Sequence, residues 1–195
     1  MGSLIKELQR DALDDNVSIE TLLRKAYLIA RKLKLKDFQK WIEQEQKGYD
    51  DKVPEYRKVK GVIVIRTIYG EETLRKERVC STKMEISSIF FLANSKEEFN
   101  TFSIENILKE NNITTKDTSI QCYFEVSKSQ LYKIISSVKD EILNWTLCLE
   151  ENGIIGNDLD FSEEEKQIAE TTTVINNYTN NFYGETSDVK VEQGS

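Results

Sequence analysis

Leu131, Ile134, Ile135, Val138, Ile142, Trp145 and Leu149 recur at steps of three and four residues. That spacing lays them along one stripe of an α-helix and excludes a strand, whose faces alternate at every second position. Ser127 with Gln130 three positions later reads as a capping box, and Gly153 is the expected stop. The helix so bounded has about seven turns and a length of roughly 38 Å. A stripe this long must be covered along its whole length, so it is the expected spine of the core.

What can cover it comes before and after. The first fifty residues read as three helices. Ser3 caps the first, which buries Ile5, Leu8 and Ala12; Asp14, Asp15 and Asn16 break it. Ser18 caps the second, with Ile19, Leu22, Ala26, Ile29 and Leu33 on its stripe and Val17 and Leu22 placed as a hydrophobic staple. The third runs from about Lys36 to Lys47, buries Phe38, Trp41 and Ile42, and ends at Gly48. Past Pro54, the only proline, the period is lost and β-branched residues dominate from Val59 to Gly70, which predicts a strand. A turn at Gly70 and Glu71 leads to a second strand, Thr73 to Cys80. Met84 to Leu92 suits a short helix or a strand equally, and Ser103 to Leu108 suggests one or two helical turns. Ser119 to Val126 alternates, with Ile120, Cys122 and Phe124 facing inward. After the spine, Ser162 and Glu165 form a second capping box ahead of a short helix. From Thr171 the composition turns rich in asparagine and β-formers. The expected fold is therefore α+β: an N-terminal helical subdomain, a small antiparallel sheet, a long C-terminal helix and a β-prone tail. A domain over 1–170, helical to about 48 and mixed from 49, is followed by a tail over 171–195.

Chemistry is constrained by absence. The chain has no histidine, which removes His-dependent triads and histidine metal sites. Cys80, Cys122 and Cys148 form no CxxC pair. No apolar run nears the roughly 18 residues a membrane span needs, and no hydrophobic signal region precedes the first helix, so a cytoplasmic location is expected. Residues 140–195 hold 13 of the 34 acidic side chains and 2 of the 27 basic ones. That asymmetry predicts an acidic end held away from, or folded against, a mildly basic body.

Three sets of residues invite a functional reading. Arg24, Arg31, Lys32 and Lys34 belong to a basic run without an intervening acid, which is either a phosphate-binding surface or a solvated helix face. Trp41, Glu45, Tyr49, Tyr56 and Arg57 either line a pocket or fix the helix-to-strand turn, with Arg57 paired to a carboxylate such as Glu45. The carboxylates Asp50-Asp51, Asp158-Asp160 and Glu163 to Glu165 would hold a divalent metal only if distant segments converged. Neither a metal nor another cofactor is expected, and no catalytic set emerges.

The block Trp41, Glu45, Gly48, Tyr49, Pro54, Tyr56 and Arg57 resembles the signature of the AbiTii family. So do the opening SLIKELQRDALDDNVSIETLLRKAYLIARKL and the later VSKSQLYKIISSVKDEILNWTLCLEENGIIGNDLDFSEEEKQ. The similarity spans roughly residues 3 to 166 and is weakest over 71 to 118. The resemblance implies a role in bacterial abortive infection, in which a phage-infected cell halts growth or dies, and brings no catalytic residues with it. The tail NNFYGETSDVKVEQGS is similar to short C-terminal motifs of bacterial defence and signalling proteins, some of which are thought to stack as cross-β. Asn181, Phe182, Tyr183, Gly184, Val189, Val191, Gln193 and Gly194 would carry that self-association, with Phe182, Tyr183, Val189 and Val191 on the zipper faces. The plain alternative is an unstructured tail. The expected partners are a second copy of the chain, in a homo-oligomer or filament, another defence protein, or a phage component. Nucleic acid, bound or cleaved through the second helix, is the alternative.

Overall fold

A computed structural model describes residues 2–70, 72–103 and 120–183. Three helices open the chain: α1 (Leu4–Leu13), α2 (Ile19–Lys32) and α3 (Lys36–Lys47). A 3₁₀ turn at Glu55–Arg57 leads into β1 (Lys58–Thr67) and β2 (Glu72–Ser81), followed by α4 (Ile86–Ala93) and β3 (Phe99–Ser103). Then β4 (Ile120–Ser127) runs straight into the spine helix α5 (Lys128–Glu151). Two helices, α6 (Glu163–Thr171) and α7 (Thr173–Asn176), and a 3₁₀ stretch Tyr178–Tyr183 complete the described chain. The architecture is α+β.

The α5 stripe is buried at every predicted position, and α1, α2, α4, β1 and β4 all pack against it. The serines at positions 3 and 18 cap α1 and α2 as their spacing requires, their side chains accepting from the Lys6 and Thr21 N–H groups. The four strands form one antiparallel sheet in the order β2-β1-β4-β3. The register pairs Ile63 with Phe124 and Ile65 with Cys122, so one face carries Val59, Ile63, Phe124 and Val126 into the core. No helix among the described residues is long and apolar enough to cross a membrane.

Four features depart from the sequence reading or decide what it left open. Ser127 does head α5, but its side chain caps no backbone group; it meets the Ser129 hydroxyl at 2.8 Å instead. Gln130 accepts from the Lys60 N–H at 3.1 Å and so ties the helix to β1. With β4 feeding directly into the helix, Gln130 satisfies a strand amide rather than closing a capping box. The ambiguous stretch after Met84 is helical, because Ile86, Ile89 and Ala93 fall on one buried face. Ser103 ends a strand that pairs with β4, not a helix; residues 104–108 lie outside the described residues.

The fourth concerns the tail. Residues 173–183, expected in a β-prone tail, are helical and folded onto the body. Ile175 is 1% exposed and Phe182 4%. The Phe182 ring, expected on a zipper face, lies 5.1 Å from Trp41 and 5.6 Å from Tyr178, centroid to centroid. Burying an aromatic ring of this size outweighs the β propensity of its neighbours. Gly184, Val189, Val191, Gln193 and Gly194 lie outside the described residues.

Candidate functional site

Trp41 and Glu45 are four residues apart on α3 and therefore share a face. The helix ends at Gly48, whose φ of +90° suits glycine, and where an added Cβ would stand 2.8 Å from the Lys83 carbonyl. That close approach lets Tyr49 N–H bond to Lys83 O at 2.9 Å and turns the chain back over α3. The 3₁₀ turn after Pro54 then delivers Tyr56 and Arg57 to the same place.

The result is a network centred on the Glu45 carboxylate. Glu45 and Arg57 are both fully buried. Arg57 Nη2 bonds Glu45 Oε2, its Nε reaches Oε1 at 3.4 Å, and its Nη1 donates to the Met84 carbonyl. Tyr49 and Tyr56 donate their hydroxyls to Glu45 Oε1 at 2.6 and 2.7 Å. The Trp41 indole N–H donates to the Tyr56 oxygen at 2.8 Å, and the Arg57 guanidinium lies 5.0 Å from the Tyr49 ring centroid. The five residues expected to converge do so, but they face one another. Both carboxylate oxygens and both ends of the guanidinium are taken, so the set acts as an ionic lock between α3, the 3₁₀ turn and the Met84 backbone. It is not an open pocket.

The same geometry fixes a pH response. Burial, then the Glu45 charge, pushes the Tyr49 and Tyr56 hydroxyls far above the ordinary tyrosine value of about 10. A raised folded-state pKa leaves stability unchanged below the unfolded value and erodes it as pH climbs past that value, because the folded chain then holds protons the unfolded chain has lost. Urea midpoints measured from pH 8 to 11.5 should stay flat to about pH 10 and fall beyond it. The fall should be shallower for Tyr49→Phe, and an equal slope in that variant would exclude Tyr49 as a contributor.

Beside the lock lies an open cleft of about 630 Å³. Lys40 and Gln44 of α3, Asp51 and Lys52 of the following loop, and Asn180 and Tyr183 of the C-terminal 3₁₀ stretch are on its walls. Tyr183 donates to Gln44 Oε1 at 3.3 Å, with Lys52 Nζ 5.5 Å from its ring centroid.

Four cations of the basic run are paired with carboxylates. Arg24 pairs with Glu20 at 3.2 Å, and Lys25 with Glu7 and Asp11 at 2.7 and 2.6 Å. Lys32 meets Asp160 at 3.5 Å and Lys34 meets Glu170 at 2.7 Å. Arg31 borders the Tyr27 hydroxyl, which donates to Glu43. Of the two charge arrangements left open by the sequence, the acidic segment 158–170 is folded against the basic helix. Each such surface pair contributes little stability, about 0–1 kcal/mol. Together they leave α2 few uncommitted cations for phosphate.

Glu163 and Glu165 are used locally. Glu165 closes the capping box with Ser162 and also accepts from the Ile155 and Gly156 N–H groups at 2.8 Å each. Burial raises its pKa, and these backbone donors outweigh that and lower it. Glu163 pairs with Lys166. Among the described residues no group of three or more His, Cys, Asp or Glu is placed to hold a metal ion. Burial pushes the Cys122 and Cys148 thiols up, away from thiolate reactivity.

Sequence reasoning missed the C-terminal packing. Its signal was present: Ile175, Tyr178 and Phe182 follow a helical i, i+3, i+7 spacing. Comparison with curated proteins and with solved structures finds no match. The AbiTii family model matches residues 3–174, which takes in α1, the buried lock, the sheet and α5. The chain belongs to the AbiTii family of bacterial abortive-infection proteins, which act in defence against phage.

Proposed function

We propose that this chain acts in phage defence without catalysis, in the cytoplasm, by contacts with other protein chains, and that its C-terminal segment drives self-association or recruitment. The observation that carries this reading is the docking of residues 173–183. Ile175 and Phe182 seat this stretch on α3 beside Trp41, so Phe182 and Tyr183, the first aromatic residues of the motif, sit against the body. A second copy of the chain is the first partner to test; another defence protein or a phage component would use the same segment. The paired cations Arg24, Lys32 and Lys34 count against the nucleic-acid alternative.

The packing also dictates where to cut. A chain ending at Glu170 would lose Ile175 and Phe182 and uncover Trp41, so any change in its association would be uninterpretable. The informative variant ends at Tyr183. Sedimentation velocity across a concentration series should show the full chain assembling and this shorter chain remaining monomeric. Plaque assays in cells making each form should show at least about tenfold weaker protection from the shorter one. Equal sedimentation and equal protection would defeat the proposal.

A further inference from the structure

The self-association motif begins at Asn181, yet Phe182 is sealed in the core and the Tyr183 hydroxyl is bound to Gln44. A stacked assembly needs identical side chains of many copies in register, and a ring in contact with Trp41, Tyr56 and Tyr178 of its own chain cannot enter one. We infer that residues 173–183 form a strap that withholds the first part of the motif, and that the strap must leave α3 before Phe182 and Tyr183 can meet a second copy. This inference rests on the self-association reading above.

The strap is built to leave as a unit. It is joined to α6 through Thr172, which is extended (φ −83°, ψ 111°). Its backbone bonds are internal or local, from Ile175 and Asn176 to Thr172 O, Asn177 to Thr173 O, and Asn180 to Asn177 O. Asn176 Nδ2 bonds the carbonyls of Ala169, Glu170 and Thr172, again nearby in sequence. What holds the strap to the body is chiefly the side chains of Ile175, Tyr178 and Phe182, with the weak Tyr178–Glu141 and Tyr183–Gln44 hydrogen bonds at 3.5 and 3.3 Å. Detachment therefore breaks no sheet or long-helix pairing. The surface uncovered on α3 is aromatic, and the surface released is the motif.

Two anchors lie outside the motif, which separates release from loss of the motif itself. Ile175→Ala combined with Tyr178→Ala should free the strap while leaving Asn181 to Gly194 intact. Hydrogen exchange at the Ile175, Asn176, Asn177 and Asn180 amides should quicken at least about tenfold, with the β1 and β4 amides unchanged. The concentration at which the chain assembles should fall at least about tenfold. The same two substitutions in a chain ending at Tyr183 should free the strap without promoting assembly. Freed strap amides with an unchanged assembly threshold would overturn the inference. So would equal assembly by the shorter chain, since the bare α3 surface would then be responsible. Should the double variant unfold, with β1 and β4 exchanging as well, the unaltered chain decides. Its assembled form should lose protection at Ile175, Asn176 and Asn177, and retained protection there would overturn the inference while leaving self-association standing. If the unaltered chain never assembles, the underlying reading fails, and exchange at the strap amides reports that separately.

Discussion

Glu45→Ala is expected to lower stability by about 3–5 kcal/mol, the range for removing one partner of a buried ion pair. For a chain of this size that corresponds to a fall of about 6–20 °C in Tm. The cause is what remains. Arg57, fully buried, keeps only the Met84 carbonyl for its guanidinium, and the Tyr49 and Tyr56 hydroxyls lose their acceptor together. Glu45→Gln should be milder, because an amide oxygen can still accept from the tyrosines while the Arg57 charge goes uncompensated. Pairing the changes, Glu45→Leu with Arg57→Met, should recover part of the loss, since two apolar residues of similar volume can replace a buried pair at little cost. Recovery will be incomplete because the tyrosine hydroxyls still lack a partner. Urea unfolding of the unaltered chain, Glu45→Leu, Arg57→Met and the double closes the cycle. A cost below about 1 kcal/mol for Glu45→Ala would mean that the Arg57 charge is not left stranded in the core.

The convergence of this lock and the Arg57–Glu45 pairing were legible as one of two readings, because α3 puts Trp41 and Glu45 one turn apart and Pro54 forces a return; the choice between pairing and pocket was not. Whether Arg57 points to a ligand or to Glu45 depends on the Met84 backbone arriving from beyond two strands, which local spacing does not encode. The long stripe of α5 was readable for the opposite reason, since each of its positions reports the same face. Its cap was misread because Gln130 serves β1, a partner 70 residues away. The strap was misread by composition: asparagines and threonines between Ile175, Tyr178 and Phe182 mask a helical spacing carried by three residues. The charge asymmetry showed that the acidic end needed a place, and Lys32 and Lys34 provide it, but which cation meets which carboxylate is set by the turn from Asn152 to Gly156.

Phe38→Ala should rank with the loss of Glu45, at about 3–5 kcal/mol. The Phe38 ring stacks on Trp145 of α5 at 3.8 Å with the planes 13° apart, and is tilted against Trp41 at 4.8 Å. It also meets the edge of Tyr178 at 6.1 Å. One side chain thus joins the spine helix, the lock and the strap, so its removal should produce two effects of different kinds. Global unfolding should shift to lower denaturant because a cavity opens between α3 and α5. The strap should also open in the folded state, since Tyr178 loses the ring it packs against, and its amides should exchange faster than those of β1. Trp145→Phe provides the contrast. It keeps a ring against Phe38 and removes an indole N–H that is buried with no hydrogen-bond partner among the described residues. Deleting an unsatisfied donor offsets part of the lost volume, so this variant should cost less than about 2 kcal/mol and leave the strap closed. If Phe38→Ala destabilises the fold yet leaves strap exchange untouched, then Ile175 and Phe182 hold the strap without Tyr178, and the coupling between spine and tail runs through Trp41 alone.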